Sequence, residues 1–89
     1  MSYTLREEIH HGDYFFEREE KIDHIPSFED FADFYSRSPY GDVYRKEDNL
    51  GSVYFAEAHD VLISNFEKDI TFKEKLASHG WSRFQLTKD

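Results

Sequence analysis

The sequence predicts an α+β fold: one small domain over residues 1–89, with an acidic N-terminal β-hairpin, about three helices and a short C-terminal strand. Three observations lead there. Apolar residues alternate at the start of the chain around a Gly-Asp turn, two later stretches carry helical apolar stripes with capping residues, and alternation returns near the end. An all-α bundle is the alternative, because Thr4 with Glu7 makes a capping box and Gly12 a stop for a short helix over 5–11.

The hairpin is preferred. Tyr3, Leu5 and Ile9 alternate with Glu7 breaking the series, His10-His11-Gly12-Asp13 supplies the turn, and Tyr14-Phe15-Phe16 favours a strand. Strands are expected near 3–9 and 14–21, since a two-turn helix is marginal by itself. Pro26-Ser27 opens a helix over 28–36, with Ser27 as N-cap and Asp30 three residues on. At about 100° per residue, Phe31, Ala32, Phe34 and Tyr35 fall with Phe28 in one arc and Glu29, Asp30 and Asp33 lie opposite.

Residues 36–51 read as a long connection punctuated by Pro39, Gly41 and Asn49 to Gly51, its middle pinned by Val43 and Tyr44. A central core helix is expected over 53–68, with Tyr54, Phe55, Ala58, Val61, Leu62 and Phe66 in a wide apolar arc. Thr71 with Glu74 forms a second capping box and Gly80 closes a helix over 72–79. Beyond it Phe84 and Leu86 alternate with Arg83 and Gln85, a short strand suited to pairing with the hairpin.

Composition limits the function. Sixteen aromatic residues outnumber the thirteen Val, Ile and Leu, so rings supply much of the core, each burying about 150–250 Å² when enclosed. Net charge is −8, and residues 1–35 hold ten acids against three bases, which leaves −7 there and −1 in the rest. Such a field repels nucleic acid and anionic membrane and attracts basic protein surfaces. The absence of cysteine excludes disulfides and thiolate metal sites, and no apolar run approaches the roughly 20 residues of a membrane span. With no signal-peptide core at the N-terminus, a soluble cytoplasmic protein is expected.

No constellation names a reaction. His10, His11 and Asp13 are the best metal candidates, and a small metal-dependent enzyme using them is the reading that follows; adjacent strand residues point to opposite faces, however, which spoils joint ligation. His24 beside Asp23 is a weaker version of the same pattern. His59 falls near the apolar arc of the long helix and suits a core residue with one nitrogen hydrogen-bonded, and His79 suits a helix C-terminus. There is no Gly-x-Ser-x-Gly, no Gly-rich phosphate loop and no isolated carboxylate pair. Neither enzymatic activity, a metal nor a cofactor is expected.

The acids remain. On a hairpin, Glu17 and Glu19 share one face about 6.6 Å apart, near a two-step phosphate spacing, with Glu7 or Glu8 across the ladder. Tyr14, Tyr40 and Tyr44 are candidate exposed rings among them. Glu17, Glu19, Glu20, Glu29, Asp30 and Asp33 are the expected partner-binding residues. They suggest an inhibitor that presents carboxylates to the basic groove of a nuclease or other nucleic-acid-binding enzyme, without itself binding nucleic acid. In size and charge balance the chain is similar to small phage-encoded anti-restriction and anti-CRISPR inhibitors, although no residue motif matches a family. The alternative is an acidic adaptor or assembly module that meets a protein partner through an aromatic patch.

Overall fold

In a computed structural model of the chain, residues 2–39, 48–72 and 80–89 are described, with 48–55 described by their backbone. The fold is α+β. Strands β1 (Tyr3–His11) and β2 (Tyr14–Ile22) form the hairpin, helices α1 (Phe28–Ser36) and α2 (Asp48–Ser64) follow, and β3 (Ile70–Thr71) and β4 (Gly80–Lys88) complete an antiparallel sheet of order β2-β1-β4-β3.

The hairpin turns through two residues, Gly12 and Asp13, with His11 paired to Tyr14. Gly12 has φ +62° and Asp13 does not share the left-handed region, as a II′ turn requires, so glycine suits the first position. At the far end of the sheet, the Asp89 carboxylate accepts from the Ser2 and Thr4 hydroxyls and its N–H donates to the Ser2 carbonyl. This ties β1 to β4.

Helix α1 has the predicted bounds. Ser27 Oγ accepts from the Asp30 N–H at 3.1 Å while the Asp30 carboxylate accepts from the Ser27 N–H at 3.2 Å, a reciprocal capping box. Phe31, Phe34 and Tyr35 are buried from it, and the Phe31 and Tyr35 rings both meet Phe84 of β4. They join Leu5, Ile9, Ala58, Leu62, Phe72 and Leu86 in the core between sheet and helices.

Helix α2 departs from expectation at both ends. It begins at Asp48 rather than 53, so Gly51 lies within it; a glycine costs about 1 kcal/mol there relative to alanine and does not by itself stop a helix. It ends at Ser64 rather than 68. Glu67 adopts a left-handed φ of 73°, and its N–H donates to the Leu86 carbonyl at 2.7 Å, so a bond to β4 redirects the chain. Phe66 consequently packs from the turn, stacked on Tyr3, rather than from the helix.

Strand β3 was not predicted. Thr71, expected as a helix cap, pairs with Arg83, and the next N–H, of Phe72, donates to the Ser82 carbonyl. Two helices are therefore found among the described residues where about three were expected. Residues 73–79, the span of the third with Glu74 and His79, lie outside the described residues, as does the segment 40–47 with Tyr40, Val43 and Tyr44. Gly80, expected as a helix stop, opens β4, whose nine residues exceed the short strand expected around Phe84 and Leu86.

Glu7 does not break the alternation. It continues the inward set Tyr3, Leu5, Ile9 and is fully buried. Its carboxylate accepts from Arg18 Nε on β2 at 2.9 Å, and Arg18 is itself 19% exposed. A second Arg18 nitrogen donates to the Phe34 carbonyl in the last turn of α1, and the guanidinium carbon lies 3.7 Å from the centroid of the Phe34 ring. Helix α1 carries no basic residue in its last turn, and its C-terminal carbonyls meet positive charge from Arg18 and from the C-cap Arg37, whose Nε donates to the Asp33 carbonyl at 3.3 Å.

Removing one member of a buried pair strands the other charge, at a cost of about 3–5 kcal/mol. Arg18→Ala should therefore lower the unfolding free energy by roughly 3 kcal/mol in urea titration, whereas Glu7→Leu combined with Arg18→Leu should lose clearly less than Arg18→Ala alone. Equal loss in both would show that desolvated charge is not what penalises the single variant.

Candidate functional site

Among the described residues the helices lie on one face of the sheet and none covers the other, so the candidate surface is built from the outward residues of β2, β1 and β4. The strand register arranges them in rows. Phe15, His10 and Trp81 lie side by side across the three strands; next come Glu17, Glu8 and Arg83, then Glu19, Arg6 and Gln85, then Lys21, Thr4 and Thr87.

The first row is an aromatic platform. His10 stacks on Trp81 with ring centroids 4.0 Å apart and planes 14° from parallel, and meets Phe15 edge-on at 4.6 Å. Phe15 is 51% exposed and its neighbour Tyr14, at the hairpin end, 42%. Rings held by a sheet lose little freedom on binding and offer large contact area. His10 Nε2 lies 2.9 Å from Glu8 Oε1, which orients the imidazole. That hydrogen bond, with help from the charge of Arg83, holds the Glu8 carboxyl below its usual range despite partial burial.

The following rows are charged but balanced. Arg6 pairs with Glu17, and this hydrogen bond holds the guanidinium proton even more firmly than usual. Arg83 reaches Glu8 at 3.4 Å and Asp69 at 4.0 Å, and its guanidinium lies 5.1 Å from the Trp81 ring centroid. Arg6, Glu8, Asp69, Arg83 and Gln85 line a shallow depression of about 230 Å³. Counted over the outward residues of β1, β2 and β4, three bases (Arg6, Lys21, Arg83) meet three acids (Glu8, Glu17, Glu19). The open face is close to neutral.

The six acids singled out from the sequence thus do not form one array. Glu17 and Glu19 face outward from β2, with Glu8 directly opposite Glu17, while Glu7 points into the core. Glu20 points to the helix side, where Arg37 bridges it at 2.7 Å to Asp33 at 3.4 Å. Asp30 is engaged in the capping box and with His24. Glu19 and Glu29 make no ion pair among the described residues. The larger exposed acidity lies on the helical side, where Glu29, Asp30 and Asp33 of α1 and Glu57 and Asp60 of α2 are exposed.

The histidines take separate roles. His59 is half-buried between Phe28 and Phe31, with Nε2 2.8 Å from the Pro26 carbonyl, as a core histidine with one nitrogen bonded. His10 belongs to the aromatic row, away from Asp13 in the turn. No group of three metal-ligating side chains is gathered among the described residues. No helix of the described residues is long and apolar enough to cross a membrane. Sequence reasoning missed the Phe15–His10–Trp81 row because Trp81 lies 71 residues from His10 and joins it through β-pairing, and because the expected first strand ends near residue 9, short of His10, whereas β1 runs to His11 and pairs His10 with Phe15.

Comparison of the chain with protein-family models, with curated proteins and with solved structures found no match.

His24 closes the connection between β2 and α1. Its Nδ1 lies 2.8 Å from Asp23 and its Nε2 3.0 Å from Asp30, so both ring nitrogens face carboxylates and the cation is favoured. The hydrogen bonds to Asp23 and then Asp30 raise the His24 pKa, and the bond to His24 lowers both carboxyls. A raised imidazole contributes stability that is complete below its unfolded value of about 6.5 and fades as pH rises through the folded value; lowered carboxyls contribute above about 3.9 and fade as pH falls through theirs. The clamp therefore acts most fully between about pH 4 and pH 6.5. An NMR titration should place the His24 midpoint above about 6.5 and show it falling in Asp30→Asn; a midpoint at or below that value in the wild type would contradict the clamp.

Proposed function

We propose that the chain is a protein-binding module, an adaptor or inhibitor in kind, that engages its partner through the Phe15–His10–Trp81 row with the charged rows as its rim. The observation that carries this is the exposure of Phe15 and Tyr14 beside a ring stack already ordered by Glu8. An anchor of rings with balanced polar neighbours is the composition of a protein contact rather than of a phosphate mimic. The net charge of −8 favours a partner with a basic surface and speeds encounter with it.

A second reading has its own support. Inhibition of a nuclease or similar enzyme by occupation of its basic groove, in the manner of anti-restriction and anti-CRISPR proteins, would use the helical side, where the exposed acids Glu29 and Asp33 of α1 and Glu57 and Asp60 of α2 lie. Arg37 offsets part of that field at Asp33 and Glu20. Neither reading calls for a cofactor.

The two separate by experiment. With a partner captured from the native host, Phe15→Ala and Trp81→Ala should each weaken binding by about tenfold or more, with binding persisting in high salt and the melting temperature of Phe15→Ala nearly unchanged. If instead Glu29→Gln with Asp33→Gln abolishes capture, salt dissolves the complex and nucleic acid competes for the partner, the groove-occupying reading replaces the aromatic one.

A further inference from the structure

Among the described residues β2 is the outermost strand of the sheet on its side, and at nine residues it is a far longer edge than the two-residue β3 at the other side. Exposed edges of this length invite pairing with another strand, and charged side chains usually guard them. β2 carries such charges, but their order is self-complementary. When two copies of the strand are set antiparallel about a two-fold axis through Glu19, perpendicular to the sheet, residues on the same face meet. Phe16 then opposes Ile22, Glu17 opposes Lys21 and Arg18 opposes Glu20, each twice, and Glu19 alone meets its like. Directly opposed side chains lie about 4.5–5.5 Å apart at Cβ, close enough for each pair to act.

Other registers fail this test. Moving the axis to Arg18 sets Arg18 against itself, Glu17 against Glu19 and Phe16 against Glu20; moving it to Glu20 keeps Glu19 against Lys21 but sets Glu20 against itself, Arg18 against Ile22 and Glu17 against Asp23, so like pairs and mismatches outnumber the opposite-charge pairs. A shift that pairs odd with even residues turns helix-side residues of one copy to the open face of the other. The same charges that repel indiscriminate strands thus select one partner in one register.

We propose that β2 pairs with β2 of a second copy about Glu19, joining two four-stranded sheets into one of eight strands. Arg6, which lies across from Glu19 in the hairpin and pairs with Glu17, would stand on each side of the axis and offset the like pair there. Arg18 retains donors beyond those given to Glu7 and Phe34, so an added Glu20 contact does not require the buried pair to break. Pairing at the edge leaves the open face uncovered, and the inference does not rest on the aromatic-row reading of partner binding.

Sedimentation or light scattering over a concentration series tests it. The wild type should dimerise, and Glu17→Lys or Lys21→Glu alone should each weaken the dimer by about tenfold or more, since each reversal creates two like pairs. Both side chains are exposed, so circular dichroism should show both variants folded. Mixing the two variants should restore a heterodimer, because the reversed charge at position 17 of one copy then faces the reversed charge at position 21 of the other, and both cross-axis pairs again join opposite signs. Glu19→Gln should tighten the wild-type dimer. A wild type that stays monomeric at millimolar concentration, or a dimer indifferent to both reversals, overturns the proposal.

Discussion

A buried carboxylate sets the terms for the rest of this structure. Glu7 has no access to solvent, so its charge must be met from within. Arg18 meets it from the neighbouring strand, then reaches past it to the last turn of α1 and lies over the Phe34 ring. One side chain thereby links β1, β2 and α1, and fixes where the helix terminates over the hairpin. Arg37 adds a weaker, exposed tie between the same helix and Glu20. Apolar packing of Phe31, Phe34, Tyr35, Phe84 and Leu86 supplies the burial. The pair supplies the position.

That position divides the surface in two. With α1 and α2 on one side, every outward strand residue belongs to the other, and the register sorts these into an aromatic row and balanced charged rows. The acid excess of the first 35 residues is largely consumed or dispersed: Glu7 inside, Glu17 against Arg6, Glu20 and Asp33 against Arg37, Asp23 and Asp30 around His24. What reads in the sequence as an acidic hairpin is, in space, a nearly neutral sheet face with rings at one end and an acidic helical side. On the reading proposed above, the whole field would draw a basic partner and the rings would make the contact.

The parts legible from sequence are those determined locally. The hairpin follows from Gly12-Asp13 and its flanking rings, and α1 from the Ser27–Asp30 box and a clear apolar arc. The limits of α2 were misplaced because its end depends on a bond from Glu67 to Leu86, 19 residues away, which no local pattern contains. Strand β3 leaves no local signal for the same reason, since two residues become a strand only by pairing with Arg83 and Phe84. Glu7 breaks the alternation only when inward positions are equated with apolar residues, whereas a charged residue with a partner keeps the inward place. The candidate acids can be named from the sequence, but not the partners Arg6, Arg37 and His24 that engage Glu17, Glu20, Asp33 and Asp30, so only Glu19 and Glu29 of the expected array stand without an ion pair among the described residues.

The Arg18 Nε–H is the most direct witness to this arrangement. Its proton, observed by nitrogen-resolved NMR across the neutral pH range, should exchange slowly with water and show close contacts to the Glu7 side chain and the Phe34 ring. A rapidly exchanging proton without those contacts would mean that Glu7 is not held as described, and that the placement of α1 over the hairpin must rest on something else.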